Sequence, residues 1–124
     1  KLRIMSDSFA LSADLGLNDV IYLGQLPKGA IIHDVILAFA DLDASGGTVD
    51  VGYEYADAAL TDDPDAFIAA ADVTAAGTVG MIEQANMVGF LYETTGIADV
   101  IATISGDTDA TSGTIKVSVV YSVD

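Results

Sequence analysis

Two stretches of this chain alternate apolar and polar residues with period 2, the pattern of a strand that has one face in a core and the other in water. In the run from Thr48 to Tyr55, Val49, Val51, Tyr53 and Tyr55 share one face while Asp50, Gly52 and Glu54 share the other. Near the C-terminus, Ile115, Val117, Val119, Tyr121 and Val123 oppose Thr114, Lys116, Ser118 and Ser122. A third such stretch, Ile97 to Ser105, sets Ala98, Val100, Ala102 and Ile104 against Asp99, Thr103 and Ser105.

Other segments are apolar on both faces. Asp19 to Leu23, Ala30 to Leu42 and Met87 to Glu93 read as strands covered on two sides or packed on a neighbouring subunit. Shorter strands are expected near Arg3–Met5 and Phe9–Leu11. Turn chemistry separates these elements at Pro27-Lys28-Gly29, Ala44 to Gly47, Thr61 to Asp65, Thr95-Gly96 and Ser105 to Gly113. Only Asp65 to Ala76, capped by Asp65 and rich in alanine, reads as a short helical segment. About eight short strands with no βαβ rhythm predict one all-β domain over residues 1–124, an antiparallel β-sandwich of jelly-roll type, with an isolated barrel as the structural alternative. Lys1 is an unusual natural start, and the expectation is a native terminus upstream or one made by processing.

Composition narrows the function. The chain has 19 acidic residues against 4 Lys and Arg, a net charge of −15, yet 52% of its residues are hydrophobic. That much apolar content can offset chain entropy, so the chain folds rather than staying disordered. The charge opposes nucleic acid and anionic membrane surfaces, which need clustered cations. No apolar run approaches the ~20 residues that span a bilayer as a helix. With no Cys and one His, the chain offers neither a thiolate metal site nor a nucleophile and base in pattern, and it is expected to be non-enzymatic without a cofactor. His33 and Asp34, as strand neighbours, are expected to point to opposite faces. Asp41, Asp43 and Ser45 open like a calcium loop, but Gly52 stands where the bidentate acid belongs. Asp107-Thr108-Asp109 likewise lacks a closing carboxylate. Both read first as solvated turns.

The apolar surplus points to a surface covered by a partner. At the N-terminus, Lys1 and Arg3 flank Leu2 and differ in sign from the acidic body, which suggests that residues 1–8 form an arm laid on a neighbour.

The run Asp19-Val20-Ile21-Tyr22-Leu23-Gly24-Gln25-Leu26-Pro27-Lys28-Gly29-Ala30-Ile31-Ile32, followed by Thr48-Val49-Asp50-Val51-Gly52-Tyr53, resembles small virion structural proteins of tailed bacteriophages. Pro64 to Ile68 and Thr74 to Thr78 extend the likeness, which covers roughly residues 12–80 and departs at Asn18, where the pattern carries Gly. The resemblance implies a decoration or cement protein on the outer surface of the head, a homo-oligomer (trimer or dimer) that bridges capsomers of the major capsid protein. On that reading Leu2, Arg3 and Ile4 anchor it to the shell. The alternative is a receptor- or carbohydrate-binding sandwich of a head fibre or tail.

Overall fold

A computed structural model describes residues 1–11, 16–40, 47–106 and 113–123. Its elements are β1 (Leu2–Ala10), β2 (Val20–Leu26), β3 (Ile31–Phe39), β4 (Thr48–Tyr55), β5 (Asp63–Asp72), β6 (Gly77–Gly80), β7 (Ala98–Ile104) and β8 (Thr114–Ser122). They build two four-stranded sheets, ordered β1-β8-β3-β6 and β2-β7-β4-β5. Every pairing is antiparallel. First pairs with last, second with seventh, third with sixth and fourth with fifth, so the chain is one long hairpin folded over itself. The extra ladders β3–β8 and β4–β7 join its halves into sheets, which is the jelly-roll arrangement.

The alternating stretches land as the sequence implies. Val49, Val51, Tyr53 and Tyr55 of β4, Ala98, Val100, Ala102 and Ile104 of β7, and Ile115, Val117, Val119 and Tyr121 of β8 are all buried. The segments that are apolar on both faces behave differently. β2 shifts register between Tyr22 and Gly24, and β3 between Ile32 and Asp34. An extra residue in a strand reverses which parity faces inward. Thus Ile21, Leu23 and Leu26 all reach the core from β2, as do Ile32, Val35, Leu37 and Phe39 from β3, while Tyr22 and Ile36 stay outside.

Three expectations are corrected. Asp65 to Ala76 is not helical: most of it belongs to β5, which lies along β4. Alanine favours helix, but burial of Phe67, Ile68 and Ala71 against the core decides the matter, as tertiary packing commonly overrides propensity. Met87 to Glu93 is not a strand; it is a series of turns with a single bridge from Glu93 to Ile31. Residues 1–8 are not a detached arm, because Leu2 through Ala10 pair with Ser122 through Thr114 without a register shift. The two short N-terminal strands are thus one.

Backbone conformation explains two sequence details. Gly29 has φ 83° in the turn that enters β3, a region L side chains rarely adopt. Asn18, the departure from the phage-like pattern, has φ 70°. Asn tolerates the left-handed region better than most other non-glycine residues, so it replaces Gly there at modest cost.

At Gly52 the backbone of β5 crosses directly over β4, and a Cβ would sit 2.1 Å from the Asp63 carbonyl oxygen. At Gly24 the obstruction is the Met5 thioether, 2.5 Å away but at the end of a flexible side chain. Gly52→Ala should therefore lower unfolding free energy by at least about 2 kcal/mol in urea titration, whereas Gly24→Ala should cost under about 1 kcal/mol.

Candidate interaction surfaces

Charge is divided between the two sheets. The strands of the β1-β8-β3-β6 sheet carry Arg3, Lys116, Asp7 and Asp34, two of each sign. Those of the β2-β7-β4-β5 sheet carry Asp50, Glu54, Asp63, Asp65, Asp72 and Asp99, six acids and no cation. The register sets Glu54 beside Asp99, concentrating negative potential on the second sheet's outer face.

The first sheet's outer face is mild by contrast. Leu2, Ile4, Ser6 and Ser8 of β1 stand beside Ser122, Val120, Ser118 and Lys116 of β8, and Ile36 of β3 faces Ser118 from the other side. Leu2 is 66% exposed, Ile4 69% and Ile36 42%. Ser6, Ser8, Ile36, Ala38, Lys116 and Ser118 line a broad, shallow depression there. Small hydroxyls and a few aliphatic groups, with Lys116 offset by Asp34 beside Val120, give a nearly neutral surface on a strongly anionic protein.

A second apolar surface lies in the connection from β6 to β7. Ile82, Met87, Val88, Phe90 and Leu91 are exposed, and Met81, Ile82, Ala85, Met87 and Phe90 line a small pocket. This segment was the strand expected from apolar content. Asn86 and Gly89 were the signals against it: the Asn86 side chain accepts the Val88 N–H at 3.2 Å, and a Cβ at Gly89 would meet the Ala66 carbonyl oxygen at 2.4 Å.

Tyrosines tie the connection down. The Tyr92 ring stacks on Tyr53 with centroids 4.8 Å apart, Tyr53 packs against Tyr55 at 5.1 Å, and the Tyr92 and Tyr55 hydroxyls are hydrogen-bonded. Buried Thr94 accepts the Ala30 N–H at 2.9 Å and donates to the Pro27 carbonyl at 2.7 Å. Gln84 reaches β5, where it accepts the Ala69 N–H and donates to the Ala69 carbonyl, both at 2.9 Å. Burial, then hydrogen bonds to Tyr53 and Tyr55, push the Tyr92 hydroxyl above the ordinary tyrosine range; burial is also the foremost cause for Tyr53.

The expectation of opposite faces for His33 and Asp34 is corrected: the register shift between Ile32 and Asp34 leaves both residues between inward-facing Ile32 and Val35, on the outer side, where they take separate partners. The His33 Nε2 lies 2.9 Å from the Ser122 Oγ, while Asp34 accepts the Val35 N–H. Among the described residues, no cluster of three His, Cys, Asp or Glu could hold a metal. The loop of Asp41, Asp43 and Ser45, like Asp107 and Asp109, lies outside the described residues. Leu2, Arg3 and Ile4 sit at the start of edge strand β1, with Leu2 and Ile4 on the neutral outer face and Arg3 on the side of Met5 and Phe9.

The chain is similar to chains of phage capsid structures. One, in the cyanophage Pam1 capsid asymmetric unit, aligns with a TM-score of 0.77 and 26% identity over 100% of this chain and 86% of that one. A second, in the capsid of Ralstonia phage GP4, gives 0.75 and 23% over 100% and 85%. A third, in the capsid of Helicobacter pylori bacteriophage KHP30, gives 0.65 and 19% over 97% and 86%. The latter two bear on the fold, and the Pam1 chain supports a structural role in a phage virion. No family model matches the chain, and no curated protein does.

The tyrosine environment predicts an alkaline transition. A phenol whose folded pKa is raised stabilises the fold fully below the unfolded value, and that stability is lost as pH rises toward the folded one. Above pH about 10, unfolded chains ionise Tyr53 and Tyr92 while folded chains resist. Phenolate absorbance should therefore lag for these two and then rise together with the loss of β-sheet circular dichroism. Tyr92→Phe should abolish one lagging phenol.

Proposed function

We propose that this protein decorates the outside of a phage head, seated through the outer face of the β1-β8-β3-β6 sheet with the acidic sheet turned to solvent. The observation that carries the reading is the division of charge: six acids on the strands of one sheet against balanced charge on the other. A docking surface must shed water, and acidic groups without partners make that costly. The neutral face, with Leu2, Ile4 and Ile36 exposed, meets that condition, and the acidic face does not. Leu2 and Ile4 then help to hold the protein against the major capsid protein, as part of a strand rather than as a tail, while Arg3, expected to share that role, lies on the other side of β1. The likeness to the Pam1 capsid chain favours this role over catalysis.

The mechanism is mechanical. Apolar area buried across a joint between capsomers gains ~25 cal/mol per Å², and association costs remove a large share of it. A small surplus repeated at many sites opposes the internal pressure that opens the joints. The acidic outer face keeps neighbouring decorated particles apart and repels free nucleic acid.

Heads assembled without this protein provide the test. Purified chain added to them should bind at fixed stoichiometry, counted by gel densitometry and located by cryo-electron microscopy. Ile36→Glu and Ile4→Glu should each reduce apparent affinity about tenfold or more, since each places a charge in the buried patch. Asp99→Asn on the opposite face should change it little. Equal loading by all three variants, or density on the tail alone, overturns the reading.

A further inference from the structure

A sandwich has four edge strands, and three of these are protected against pairing with another chain. β5 carries Pro64 and two register shifts, and its Ala69 backbone is already bonded to Gln84. β6 is only 4 residues long, and β2 is broken by the shift between Tyr22 and Gly24. Short edges, prolines and bulges are the usual guards. β1 lacks these three, running 9 residues without Pro, Gly or register shift, and its remaining guard is the pair of inward-side charges, Arg3 and Asp7.

Inward-side charges ordinarily oppose edge pairing, but those of β1 are one of each sign and can satisfy each other across a two-fold axis. Arg3 and Asp7, both exposed, share the side of the strand that carries Met5 and Phe9. Antiparallel pairing of β1 with its own copy must keep inward side chains opposite inward ones, so the two-fold axis passes through a residue and not between two. Centred on Met5, it sets Arg3 opposite the partner's Asp7, and does so twice by symmetry. Centred on Ile4 it sets Arg3 opposite the partner's Met5, and centred on Ser6 opposite the partner's Phe9.

We infer that β1 pairs with β1 of a second copy about a two-fold axis at Met5, joining two four-stranded sheets into one of eight strands. Main-chain hydrogen bonds supply the attraction, and the reciprocal Arg3–Asp7 pairs select the register. Each Ile4 then faces the partner's Ser6 and each Leu2 the partner's Ser8 on the outer surface. This is a property of the chain free in solution and holds whether or not it binds a head.

Sedimentation equilibrium of the full chain should give twice its 12.7 kDa mass. Arg3→Asp and Asp7→Arg, each at an exposed position, should each weaken the dimer about tenfold by making like charges face one another, and the double reversal should restore it. Unchanged circular dichroism and melting would verify folding of each variant. The absence of cysteine allows a direct register measurement. Mixed under oxidation, Ile4→Cys and Ser6→Cys proteins should cross-link to each other and not to themselves. A monomer, a trimer, single reversals without effect, or self-linking of either cysteine variant overturns the inference.

Discussion

The ladder on which the rest of the fold depends is the one that seats β8 between β1 and β3. It joins the two ends of the chain, and Ile115, Val117, Val119 and Tyr121, all buried, form the middle of the first sheet's inner face. Without β8, neither β1 nor the β3–β6 pair has a neighbour to complete the layer. The closure entropy of so distant a contact must be met before the apolar contacts repay it, which is the character of a slow-folding topology. It also fixes the character of the N-terminal segment: residues that look like a loose charged tail are held as a strand by partners more than a hundred positions away.

That placement gives the protein two unlike faces. Period-2 alternation lets inner residues be selected for packing and outer residues for what they meet, independently and on the same strand. β4 and β7 use the freedom to present Asp50, Glu54 and Asp99 outward; β1 and β8 use it to present Leu2, Ile4, Ser6, Ser118 and Val120. The net charge of −15 is therefore not spread evenly over the strands, and its absence from one sheet carries more meaning than its size.

The sequence made β4, β7 and β8 readable because each is half-buried, so its pattern records both environments. β2 and β3 are readable as strands, but which of their apolar residues face inward is not plain where both parities are apolar; only in β3 does the adjacent polar pair His33-Asp34 mark the shift. β5 was hidden for a different reason. Its run of alanines carries a helical preference, while the facts that make it a strand, an open β4 edge and a Gln84 side chain that matches the Ala69 backbone, lie elsewhere in the chain. The turns of 87–93 resemble a strand in sequence because exposed Met87, Val88 and Leu91 look like core residues when exposure is unknown. The neutral face could not be read at all before the sheet order was known, because it is assembled from β1, β3 and β8, which the sequence keeps apart.

Sheet symmetry links the two surfaces of β1. A two-fold axis perpendicular to a sheet leaves its faces unexchanged, so two copies joined edge to edge at Met5 present both neutral faces on the same side and both acidic faces on the other. Face-to-face pairing would instead consume the neutral surface and leave only acid exposed. Edge pairing is thus the mode of self-association that doubles the docking surface without spending it. The charges on the edge agree with that economy: Arg3 and Asp7 point away from the outer face, where they can guide register while Leu2 and Ile4 remain free to meet a third partner.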